Sequence, residues 1–178
     1  MINTKKADLN KLLNPEKVIW PYKERKDKTS LAPFSMELHL TSLCNFSCYH
    51  CSYQDRRSNR SVVDGSTIKG LIDSIIDLGI NGVYWSGGGE PTTIKDFTKY
   101  IDRIANSKIE QALITNGLLI SDKWIPLMKK FNYIAISFQA SRKETYEKIT
   151  DTMCEINYLL ILENSMMFLT VPFLVRGV

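Results

Sequence analysis

The chain has 178 residues, with 44% hydrophobic and 24% charged content, the proportions of a soluble globular protein with one sizeable core. Its formal charge of +4 is too mild to point to nucleic acid. Met1 to Lys11 is polar and lacks the apolar core of a secretion signal, and no stretch is long enough for a membrane span. The expected location is the cytoplasm, where thiols stay reduced and closely spaced cysteines serve as ligands or catalysts.

Residues 1–34 have little periodicity, with Pro15, Pro21 and Pro33 among many charges. They read as an N-terminal extension packed on a core domain spanning 35–178. The basic residues cluster in Lys5-Lys6, in Lys23 to Lys28 and at Arg56, Arg57 and Arg60. A solvated surface is the plain reading of these clusters, with substrate guidance as the alternative.

From Ser35 onward, strand-like and helix-like segments alternate. A strand at 35–41 leads into the stretch CNFSCYHC, which holds three of the four cysteines. A helix is expected at 66–78, with Ile68, Leu71, Ile72, Ile75 and Ile76 on one face, Asp64 or Ser66 as its cap and Gly79 at its end. Val83-Tyr84-Trp85 reads as a buried strand, followed at once by SGGGEP. A second helix is expected from Thr93 to Ala105, with Thr93 and Asp96 resembling a capping start. Ala112 to Thr115 is a third strand, broken by the turn Asn116-Gly117, and a short helix follows at 121–130. Tyr133 to Phe138 is a fourth strand, followed by helical segments at 142–149 and 155–164. The end, LTVPFLVRGV, reads as a fifth strand, weakened by Pro172, which has no N–H to donate to a ladder.

Such alternation predicts parallel βα units, with chemistry at the carboxyl ends of the strands. The distinctive residues do follow strands: the cysteines follow the first, SGGGEP the second, TNG the third, and Ser137 with Gln139 end the fourth. Three thiolates can hold zinc or an iron–sulfur cluster. A closed zinc site needs a fourth ligand from His50, His39 or the distant Cys154, and each is poorly placed. A four-iron cluster with three protein ligands leaves one iron open to a small molecule, which suits three cysteines on one loop better. Spacing alone leaves the choice open. In SGGGEP the glycines permit close backbone approach, yet the stretch lacks the lysine of a P-loop and the G-x-G-x-x-G spacing. A carboxylate beside exposed carbonyls suits a cationic amine.

CNFSCYHC resembles the C-x3-C-x-φ-C signature of radical S-adenosylmethionine (radical SAM) enzymes, with His50 at the φ position, and SGGGEPT resembles that family's glycine–glycine–glutamate motif. LITNGLL and ISFQAS…ETYEKIT resemble its third and fourth βα units, so the likeness spans about residues 35–150. The implied fold is α/β, a partial (β/α) barrel of the radical SAM type, cut short after four to five βα units. The resemblance further implies that Cys44, Cys48 and Cys51 hold a [4Fe-4S] cluster. Gly88, Gly89 and Glu90 would bind the amino group of S-adenosylmethionine, with Ser137 and Gln139 near its ribose or carboxylate. An electron from a donor such as a flavodoxin or ferredoxin would cleave the sulfonium to a 5′-deoxyadenosyl radical that abstracts hydrogen from a peptide, sugar or small metabolite. Phe46, Tyr49 and Tyr53 are expected to pack around the cluster, and Cys154 to be a buried thiol. The competing readings are an inactive truncated relic and a zinc-stabilised interaction module. The region 151–178 matches the family poorly, which suggests a fragment or a short member.

Overall fold

The computed structural model describes residues 32–54, 60–121, 124–150 and 173–176. The elements alternate: strand β1 (Ser35–His39), helix α1 (Gly65–Asp77), strand β2 (Gly82–Ser86), a 3-10 turn (Pro91–Thr93), helix α2 (Phe97–Ala105), strand β3 (Glu110–Thr115), helix α3 (Ile125–Met128), strand β4 (Tyr133–Ser137), helix α4 (Lys143–Thr150) and strand β5 (Phe173–Arg176). The strands form one sheet in the order β1-β2-β3-β4-β5, and every pair is parallel. Sequential parallel strands with helical connections are the arrangement of a (β/α) barrel segment.

Side chains alternate across a strand, so each strand has a helix-covered face and an opposite face. Leu38, Val83, Trp85, Leu113, Ile134 and Ile136 join Ile68, Ile72 and Ile75 of α1 and Phe97, Ile101 and Ile104 of α2 in one core. The opposite face carries Glu37 and His39 of β1, Ser86 of β2 and Ser137 of β4, in line with the register His39↔Ser86.

α1 starts where Asp64 caps it: the carboxylate accepts from Ser66 N and Thr67 N at 3.0 Å each, and bonds from the Ser66 and Thr67 hydroxyls, reinforced by these amides, hold the Asp64 carboxyl well below the usual carboxylate range. It ends at Gly79, whose φ of 65° is the left-handed conformation that favours glycine.

The second helix departs from expectation. It begins at Phe97, and the preceding residues form the separate 3-10 turn. The reason is local. Thr93 is itself part of that turn, its hydroxyl donating to the Glu90 carbonyl at 2.7 Å, while Asp96 adopts φ 61°, pairs with Lys99 and makes no side-chain cap bond. Strands β2 and β3 are each two residues longer than expected, and α3 is shorter than the stretch 121–130. The segment 155–164 and Cys154 lie outside the described residues.

One buried polar group ties the layers together. Gln111 of β3 accepts from Trp85 Nε1 at 2.9 Å, and its Nε2 donates to the carbonyls of Ile101 at 3.2 Å and Lys130 at 3.1 Å. Gln111→Leu keeps the volume but strands the indole N–H and deprives both carbonyls. It should cost about 3 kcal/mol, seen as a lowered urea midpoint.

Candidate active site at the carboxyl ends of the strands

Beyond β1 the chain passes Thr41, whose hydroxyl accepts from Leu43 N at 2.9 Å, and enters the loop 44–51. The loop is fastened to the end of α4: Ser47 N donates to Thr150 O at 3.1 Å and Tyr49 N to Ile149 O at 3.2 Å. These are carbonyls that a helix end leaves unpaired. Phe46 is buried, its ring edge-on to Tyr146 at 6.2 Å, whereas Tyr49 is 65% exposed. Phe46 thus packs beneath the loop as expected. Tyr49 turns outward, its amide held by α4 and its ring edge-on to His50 at 5.5 Å. Cys44, Cys48 and Cys51 are not joined in a disulfide, and each is half-buried. Cys51 N donates to Cys48 O at 3.2 Å, closing a tight turn between the last two.

The three glycines after β2 each meet a different part of the first connection. A Cβ at Gly87, whose φ is 131°, would lie 2.9 Å from the Cα of His39. A Cβ at Gly88 would lie 3.3 Å from the Tyr53 ring. At Gly89 it would overlap the carbonyl oxygen of Leu43 and lie 2.8 Å from that residue's nitrogen. Glu90 N completes the joint by donating to Leu43 O at 2.7 Å. The glycine loop is therefore docked, backbone to backbone, on the residue that precedes the first cysteine of the motif.

Glu90 is buried, with 3% exposure. Its Oε1 accepts from Thr92 N at 3.1 Å, the Thr92 hydroxyl at 2.7 Å and the Thr115 hydroxyl at 2.6 Å. Its Oε2 accepts from Asn116 N at 2.7 Å. Burial pushes the carboxyl above its ordinary value, against the pull of these four bonds. Asn116 in turn donates from Nδ2 to Asn45 Oδ1 at 2.7 Å and lies 3.9 Å from Cys44 Sγ. The ends of β1, β2 and β3 are thus joined through one carboxylate and one amide.

A family model described as the Radical SAM superfamily matches residues 38–160. The chain belongs to the radical SAM superfamily. It is 30% identical over 129 residues to a probable GTP 3′,8-cyclase of Methanococcus vannielii, covering 70% of this chain and 43% of that protein. It is 26% identical over 122 residues to the S-adenosylmethionine-dependent nucleotide dehydratase of Selenomonas ruminantium, covering 63% of this chain and 41% of that protein. The chain therefore spans about two-fifths of the length of these curated relatives. In fold it is similar to Streptococcus suis SuiB bound to S-adenosylmethionine, with a TM-score of 0.67 at 17% identity over 95% of this chain and 39% of that one.

Radical SAM enzymes use a [4Fe-4S] cluster together with S-adenosylmethionine, and the donor set here fits such a cluster. Cys44 Sγ accepts from Phe46 N at 3.4 Å as well as facing Asn116 Nδ2, and donors of this kind suit a thiolate. Among the described residues, no group of three or more His, Cys, Asp or Glu side chains is arranged to hold a single metal ion, the three loop cysteines included. His39, one candidate for a fourth zinc ligand, instead lies 3.1 Å from Glu37.

Ser137 and Gln139 are half-buried at the end of β4, on the edge of the same rim. Thr92 and Asn45 carry no mark in the sequence, whereas Thr115 and Asn116 stand in the TNG that follows the third strand. The dipeptide Asn116-Gly117 does make a turn, with Gly117 at φ 80°, but the asparagine side chain also reaches back to the cysteine loop. Among the described residues no helix is long and apolar enough to cross a membrane.

Proposed function

We propose that the rim formed by the loops after β1, β2, β3 and β4 is a radical SAM active site. Cys44, Cys48 and Cys51 would hold the [4Fe-4S] cluster. The observation that carries this reading is the docking of the glycine loop onto Leu43, which brings the Gly89-Glu90 backbone against the residue that precedes Cys44. Bound there, the cluster and S-adenosylmethionine supply one-electron reductive cleavage of the sulfonium and hydrogen abstraction from a small-molecule or peptide substrate.

The protein's share is to position and shield. Gly88, Gly89 and Glu90 would bind the amino group of the ligand, the glycine backbone through its carbonyls and Glu90 through its charge. Ser137 would contact the ribose or carboxylate. Anaerobic reconstitution followed by dithionite reduction tests this assignment: 5′-deoxyadenosine should form from S-adenosylmethionine, and Cys48→Ala should abolish both cluster and product. Iron without any cleavage of S-adenosylmethionine would favour an inactive relic.

Burial of Glu90 gives the site a pH dependence. Its pKa in the fold lies above the ordinary value of 4.5, so the stability tied to its protonated form is complete below that value and is lost as pH rises through the raised one. An ammonium ligand favours the carboxylate. Affinity for S-adenosylmethionine should therefore rise with pH across this window, by up to about tenfold per pH unit for one linked ionisation. Equilibrium dialysis against pH should show this slope in the native chain and a flat profile in Glu90→Gln.

A further inference from the structure

We propose that Asn116 is a positioning residue for the cluster: its side-chain N–H stabilises the Cys44 thiolate and raises the reduction potential of the cluster that Cys44 helps to hold. The proposal rests on the cluster assignment above, but it concerns a residue outside both motifs.

The orientation of the amide follows from its partners. Asn116 Oδ1 accepts from Leu118 N at 3.0 Å, a backbone donor that only an oxygen can satisfy. Nδ2 must then lie on the other side, where it donates to Asn45 Oδ1 at 2.7 Å and faces Cys44 Sγ at 3.9 Å. Each of its two N–H bonds has an acceptor. The side chain is only 7% exposed, so water competes little for those protons. The backbone is held as firmly, because Asn116 N is bonded to Glu90 Oε2 at 2.7 Å and the neighbouring Thr115 hydroxyl accepts from Gly117 N at 3.0 Å.

A donor aimed at a thiolate sulfur stabilises it most when electron density on the sulfur is greatest. Hydrogen bonds to cluster sulfurs therefore favour the reduced state and raise the potential. Phe46 N supplies one such bond from the loop itself, and no side-chain substitution deletes it. Asn116 supplies the one that mutation can remove.

The test separates tuning from scaffolding. Asn116→Asp keeps an acceptor for Leu118 N but replaces both donors with a carboxylate oxygen. Asn116→Ala removes the side chain altogether. Asn45→Ala deletes the shorter of the two Nδ2 contacts and leaves Asn116 facing Cys44. Each reconstituted chain is titrated anaerobically, with the reduced cluster followed by electron paramagnetic resonance and iron and sulfide counted in parallel. Both Asn116 variants should show a midpoint potential more negative than the native chain at unchanged iron content. Asn45→Ala should leave the potential where it was. Equal potentials in native and Asn116 variants would overturn the proposal. So would loss of iron from both Asn116 variants but not from Asn45→Ala, because the residue would then be scaffold alone. Failure of the native chain to assemble any cluster would instead strike at the active-site assignment.

Discussion

Gly89→Ala should remove cluster assembly altogether, although it adds a single methyl group. That methyl would be driven into the Leu43 carbonyl and lie 2.8 Å from both its carbon and its nitrogen. Backbone cannot swing aside as a side-chain end can, so the two loops must separate and the Glu90 N to Leu43 O bond must break. Overpacking of this kind costs about 3 kcal/mol, and here the cost falls on the joint that precedes Cys44. The expected result is iron content near zero after reconstitution, with circular dichroism close to native. Gly88→Ala is the control: its methyl would meet the Tyr53 ring at 3.3 Å, and a ring can shift by that margin. Gly88→Ala should keep its iron. Equal iron in both variants would show that the joint does not matter.

Glu90→Ala should destabilise the fold by about 4 kcal/mol, a large share of the stability of a domain of this size. It leaves the backbone N–H groups of Thr92 and Asn116 buried without an acceptor, while the hydroxyls of Thr92 and Thr115 can rotate toward others. Glu90→Gln should cost about half as much. Its oxygen can take over the three donors at Oε1, but its amide nitrogen then confronts Asn116 N–H. Urea unfolding of the three chains checks the order native, Gln, Ala. If Ala proves as stable as native, the carboxylate does not link β2 to β3.

Much of this site can be read along the chain, because its parts follow strands in order. The short apolar strands that carry Leu38, Val83, Trp85, Leu113 and Ile134 mark a helix-covered sheet, and the distinctive motifs sit where those strands end. Within the expected fifth strand, the described residues Phe173–Arg176 pair parallel with β4. What could not be read is contact between loops. Nothing in SGGGEP says that Gly89 is small because Leu43 lies against it, and both a ligand and a neighbouring backbone would call for the same residue. Asn-Gly reads locally as a turn, so the bonds of Asn116 to Asn45 and Glu90, across 71 and 26 positions, left no local trace. The Thr93–Asp96 start failed for a related reason: Thr93 closes a 3-10 turn that begins at Glu90, whose carboxylate is tied to β3.

The central claim is that the loop 44–51 and the glycine loop together form a cradle for a cluster and S-adenosylmethionine. Its most direct test is the electron paramagnetic resonance spectrum of the anaerobically reconstituted, reduced chain, taken with and without S-adenosylmethionine and alongside iron and sulfide analysis. The account predicts about four irons and four sulfides per chain, as a [4Fe-4S] composition requires, and a signal that changes shape when S-adenosylmethionine is added. Bound zinc without acid-labile sulfide, or a cluster signal indifferent to S-adenosylmethionine, would contradict it.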